Sequence, residues 1–85
     1  MYIPIGGDMS VIDRHIIGIF DLDGCSRSKK TMEYLENMED NGALLNVTED
    51  VPKTFIVTEE YGMEKVYFTQ LSPFTIEKRI EKNEK

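Results

Sequence analysis

Few residues in this sequence have the type and spacing to do chemistry by themselves. There is one cysteine, Cys25, and one histidine, His15. Cys25 stands with Ser26 and Arg27 just ahead of a predicted helix, a setting that lowers a thiol pKa. A nucleophilic cysteine also needs a base within hydrogen-bond reach. If the chain between His15 and Cys25 is extended, roughly 30 Å separates them at about 3.3 Å per residue. Cys25 therefore reads as a surface thiol, and His15 as a partly exposed neighbour of a polar group. One cysteine and one histidine cannot complete a four-ligand zinc site, and a single cysteine forms no intrachain disulfide. No catalytic residue, metal or cofactor is expected, and the protein reads as a non-enzyme.

The cations fall in two groups. Arg27, Lys29 and Lys30 crowd the start of the first predicted helix, where each opposes the helix dipole by roughly a few tenths of a kcal/mol. Such an arrangement is either an anion-binding end or a solvated one, relieved by an i,i+4 pair between Lys29 and Glu33. Lys78, Arg79 and Lys82 close a second helix, where the dipole alone explains them.

The segment Phe20-Asp-Leu-Asp-Gly-Cys25 resembles the first motif of haloacid-dehalogenase-type phosphatases. That resemblance implies Asp21 as nucleophile and Asp23 as general acid/base, with magnesium between them and a phosphate. The chain departs from it in several places. Cys25 stands where that motif prefers threonine, and the chain ends in a hairpin and a helix rather than serial βα units. No later paired carboxylates or loop lysine stand where a parallel sheet would deliver them. Asp21, Asp23 and Gly24 read instead as a turn after a buried strand, closed by Asx-type hydrogen bonds.

The elements that position these residues follow from periodicity. Tyr2 to Ile5 reads as a strand with Pro4 at an edge. Gly6-Gly7-Asp8 is a turn, and Met9 to Ile12 is extended. A strand then runs from His15 to Phe20, with Ile17 and Ile19 facing one way and Ile16 and Phe20 the other. A strand apolar on both faces is central or covered by a partner. Asp23 to Ser26 is a loop, and Ser26 or Ser28 caps the helix that follows. That helix spans Lys29 to Asn41, with Met32, Leu35 and Met38 on one face and Gly42 as its C′ residue. Leu44 to Val47 re-enters a strand, and Glu49 to Pro52 is a polar connection. Lys53 to Thr58 and Lys65 to Thr69 form a hairpin across a linker containing Gly62. Ser72-Pro73 starts the last helix, in which Ile76 and Ile80 share a face and residues 81–85 fray. The expected class is mainly β with two helices, an α+β domain with one internal and one C-terminal helix.

Eighty-five residues leave room for a single domain with a thin core. Without disulfide or metal, self-association is the remaining support. Nothing resembles a signal peptide or membrane span, so the expected compartment is the cytoplasm. The formal charge of −6 is the wrong sign for binding nucleic acid over the whole surface, though a local basic face stays open.

Four segments in order resemble one family along essentially the whole chain. They are Met1-Tyr-Ile-Pro-Ile-Gly-Gly-Asp8, Arg14-His-Ile-Ile-Gly-Ile-Phe-Asp21, Pro52-Lys-Thr-Phe-Ile-Val-Thr58 and Leu71-Ser-Pro-Phe-Thr-Ile-Glu-Lys-Arg79. The sequence is similar to the RemA/RemB extracellular-matrix regulatory proteins, in the RemB branch. The resemblance implies a cytoplasmic transcription regulator of biofilm-matrix genes with a small LytTR-like β domain. It also implies a homo-oligomer, ring-shaped as in the RemA branch, whose partner is double-stranded DNA. Arg14 and Lys53 carry over as phosphate contacts, with Arg79 as a weaker DNA-binding candidate. RemA members carry adjacent arginines in the loop before the hairpin, where this chain has Glu49-Asp50-Val51. That exchange removes several charge contacts to DNA. The alternative is an interaction module that assembles with itself or a partner and never touches DNA.

Overall fold

The computed structural model describes residues 1–25 and 27–83. In chain order it holds β1 (Tyr2–Gly6), β2 (Met9–Ile12), a 3₁₀ turn (Asp13–His15), β3 (Ile16–Asp21) and α1 (Leu22–Cys25). There follow α2 (Lys29–Asp40), β4 (Leu44–Asn46), β5 (Thr54–Glu60), β6 (Met63–Thr69) and α3 (Pro73–Asn83). This is the expected mainly β, α+β arrangement, with one helical turn more than the sequence suggested.

β1 and β2 pair as a separate hairpin, while the other strands form one sheet in the order β3-β5-β6-β4. β5 is antiparallel to both its neighbours, and β4 runs parallel to β6. Along β5 the side chains alternate between two cores. Phe55 and Val57 join Leu35 and Val66 beneath α2. Ile56 joins Ile3, Ile5, Val11, Tyr67 and Ile76 on the opposite face, under the β1–β2 hairpin and α3. The unbroken burial of Thr54 to Thr58 is what a strand covered on both faces requires.

Of the two expected settings for β3, central or covered by a partner, the first does not hold: it is an edge strand. Its register also slips between Ile16 and Gly18, a bulge that carries every later side chain to the other face. Ile16 and Ile19 therefore pack together against the Ile56 core, while Ile17 and Phe20 turn toward α2. The expected pairing of Ile17 with Ile19 assumed an unbroken alternation. Phe20 stacks on Phe55, ring centroids 5.0 Å apart, yet stays 40% exposed, and Ile17 is 61% exposed.

The expected loop after β3 is a single helical turn, α1. Leu22 packs into the Leu35 core, and its N–H donates to the Lys53 carbonyl at 2.8 Å, which winds the chain inward. The Asx-type bond is present within it: Asp21 Oδ1 accepts the Asp23 N–H at 3.2 Å. Ser28 caps α2, its Oγ accepting the Thr31 N–H at 3.4 Å, and Gly42 ends the helix at φ +71°. Ser26, the other candidate cap, and residues 84–85 of the tail lie outside the described residues. The Lys29–Glu33 pair is not formed. Among the described residues the ion pairs join the N-terminus to Asp13, Lys65 to Glu60 and Lys78 to Glu81.

The β5–β6 hairpin is tighter than its composition suggested. Its strands extend to Glu60 and from Met63, leaving Tyr61-Gly62 as a two-residue turn with φ of 54° and 84°. Two positive φ values define the turn type whose twist matches the flanking strands. At α3, Ser72 Oγ accepts the Thr75 N–H at 3.2 Å and Pro73 is the first helical residue. Ser72→Ala is expected to cost about 1 kcal/mol, read as a lower thermal midpoint by circular dichroism.

Candidate nucleic-acid interface

Arg14 occupies the middle of the 3₁₀ turn that feeds β3 and is exposed. Its backbone N–H donates to Asp13 Oδ1 at 2.8 Å, while its guanidinium joins no ion pair among the described residues. The N-terminal ammonium sits on Asp13 Oδ1 at 3.2 Å. That hydrogen bond is the main reason the Asp13 carboxyl is held below its usual range. Asp13 is thus occupied by the N-terminus.

Lys53 is fixed by its backbone on both sides. Its N–H donates to the Thr69 carbonyl at 2.9 Å and its carbonyl accepts from Leu22. The side chain is exposed at the mouth of β5. Asp21 pairs with Thr54 and Ile16 with Thr58, so Lys53 lies beside the end of β3 and Arg14 before its start. At about 3.3 Å per residue the two cations are roughly 20 Å apart. The chain by itself does not bring them together.

Arg79 is placed differently. Its Nη1 donates to the Pro4 carbonyl at 2.9 Å, tying α3 to β1. The side chain is half-buried and has a structural partner within its own chain. His15 is half-buried against Tyr61, ring centroids 5.7 Å apart in an edge-to-face contact. The Cys25 thiol lies outside the described residues. Among the described residues no three His, Cys, Asp or Glu side chains gather as a metal site.

A groove between β3 and α2 was not legible in the sequence. It encloses about 460 Å³ and is floored by Ile17, Phe20, Phe55 and Val57, with Lys30 and Glu64 on its rim. Tyr34 hydrogen-bonds Glu64 across it, and burial, then that carboxylate, push the Tyr34 phenol up. The bulge is the reason it was invisible: strict alternation puts Ile17 and Phe20 on opposite faces, and the extra residue brings them to the same one.

No helix among the described residues is long and apolar enough to cross a membrane. Residues 2–80 match the family model RemA-like, described as extracellular matrix regulatory protein A-like. The chain is also similar to extracellular matrix regulatory protein B of Bacillus subtilis strain 168, with 31% identity over 81 residues. That match covers 95% of this chain and 91% of the relative. A family match over nearly the whole length, joined to a relative of this similarity, means that the chain belongs to the RemA-like family of extracellular matrix regulatory proteins.

Proposed function

We propose that this protein is a non-enzymatic cytoplasmic regulator that activates biofilm extracellular-matrix genes by binding double-stranded DNA as a homo-oligomer. The observation that carries the reading is the placement of Arg14 and Lys53, exposed at opposite ends of one edge strand. A lone copy of net charge −6 offers DNA two well-separated cations, too few to hold it at physiological salt. Copies repeated in a ring would present a row of them and bind by avidity.

A salt titration of binding to duplex DNA tests this. Affinity is expected to fall steeply with salt, and Arg14→Ala and Lys53→Ala to shallow that slope by about 0.9 for each phosphate no longer neutralised. Absence of binding at low salt would sink the DNA reading. The second reading, an interaction module that does not touch DNA, draws on a specific feature. Glu49 and Asp50 are exposed in the loop leading to Lys53, and the Asp50 N–H on Thr48 Oγ1 at 3.0 Å helps hold that loop in place. Carboxylates fixed there repel a phosphate backbone.

A further inference from the structure

We infer that the two open edges of the four-stranded sheet join copies of this chain head to tail, β3 of one copy lying parallel against β4 of the next. The inference rests on the proposed self-association and names its surfaces. Because β3 and β6 are both antiparallel to β5, and β4 is parallel to β6, the two edges run in the same direction. Copies in one orientation can therefore meet edge to edge without turning over.

Both edges carry open backbone groups. The Leu22–Lys53 bond marks the pairs of β3 that point inward, so by the antiparallel alternation Ile19 turns its N–H and C=O out and Asp21 its N–H, the Asp21 carbonyl being taken by the first turn of α1. On β4, the Ala43 carbonyl and the Val47 N–H bond to β6, which leaves Leu44 and Asn46 facing out. Exposed edges are normally blunted by lysine, proline or bulges. β3 has its bulge only at the start, and Gly18 to Asp21 is regular and free of lysine and proline. Ile17 and Phe20 flank this edge and line the groove, where a neighbouring strand would cover them.

Charge selects the occupant. α2 crosses the sheet from one edge to the other: Lys30 and Thr31 lie by Ile17 and Phe20, whereas Glu36 and Glu39 lie with Leu44. Its charges run against its own dipole. Arg27, Lys29 and Lys30 stand at its start and Glu33, Glu36, Glu39 and Asp40 follow, with no acid in the first turn and no base in the last. Among the described residues no ion pair within the chain relieves them. Head-to-tail contact sets the basic start of one α2 beside the acidic end of the next. A two-fold β3–β3 contact would instead set cation against cation. The occupant of each edge is thus a second copy, in a heterologous contact that closes a ring when its rotation allows.

Sedimentation of the full chain, with circular dichroism to confirm folding, tests the assignment. Ile17→Lys changes an exposed side chain and is expected to leave a folded monomer. Lys29→Glu/Lys30→Glu and Glu36→Lys/Glu39→Lys are each expected to weaken assembly at least about tenfold. An equimolar mixture of the two should reassemble, because every contact then pairs acid with base again. A wild-type oligomer unmoved by Ile17→Lys, or variants that fall apart and stay apart when mixed, would overturn this interface while self-association stands. A wild type that sediments as a monomer overturns self-association itself.

Discussion

Ile56→Ala is expected to remove most of the stability of this protein, a loss of about 3–4 kcal/mol. Ile56 is 0% exposed on the central strand, and the cluster it anchors draws on β1, β2, β6 and α3. Truncating a buried isoleucine loses its transfer free energy and leaves a cavity that neighbours on four elements cannot all close at once. A domain this small starts from a stability of only about 5 kcal/mol, so the variant should be partly unfolded in buffer. Urea denaturation checks this: the midpoint should collapse while the slope is preserved. Val51→Ala, at an 84% exposed loop position, is the control and should stay within about 0.5 kcal/mol of wild type.

The second large effect belongs to Glu60. Its Oε2 accepts the Tyr67 hydroxyl at 2.7 Å and the Thr58 hydroxyl at 2.8 Å, and Lys65 lies 3.7 Å from Oε1. Thr58 and Tyr67 are both buried. Glu60→Ala leaves two buried hydroxyls without their acceptor, at a combined cost of about 3 kcal/mol. The same group sets a pH dependence. Burial alone would raise the Glu60 carboxyl. The bonds from Tyr67 and Thr58, with Lys65 and His15, outweigh burial and hold it below its ordinary 4.5. A depressed carboxyl stabilises the fold fully above its unfolded value, and that contribution is lost as pH falls through the folded one. Burial, then Glu60, push the Tyr67 phenol above its ordinary 10.0. Its contribution is complete below that value and lost as pH rises past it. Thermal midpoints measured from about pH 3 to pH 11 should therefore show both limbs flattened in Glu60→Ala.

Much of this was readable from the chain because local chemistry and tertiary context agreed. Ser28 and Gly42 bound α2, Ser72-Pro73 opens α3, and the β-branched runs of β5 and β6 form a hairpin. The structure departs from the local pattern where a tertiary contact overrides it. Inserting one residue at the Ile17 bulge reversed the faces of β3, and nothing in Ile16-Ile17-Gly18-Ile19 marks where it goes. Burying Leu22 turned a Gly-containing loop into a helical turn. Tyr61 at positive φ hid a two-residue turn, because tyrosine rarely takes that conformation. Of the candidate site, the exposure of Arg14 and Lys53 accords with their type. That Arg79 is spent on the Pro4 carbonyl depends on a residue 75 positions away and could not be read locally.

That last contact bears on how the chain is made. The core around Ile56 joins Ile3 and Ile5 from the first strand to Ile76 and Ile80 from the last helix. The other core, beneath α2, draws only on Leu22 to Phe68. Every residue of the α2 side is made before the last helix. The β1–β2 hairpin, marginal by itself, must wait with Ile3 and Ile5 uncovered. Closing it needs partners from the opposite end of the chain, the slow class of contact in folding. A chain truncated before Ile76 thus carries one complete face and one adhesive one, the form in which this protein is most open to aggregation or to a chaperone.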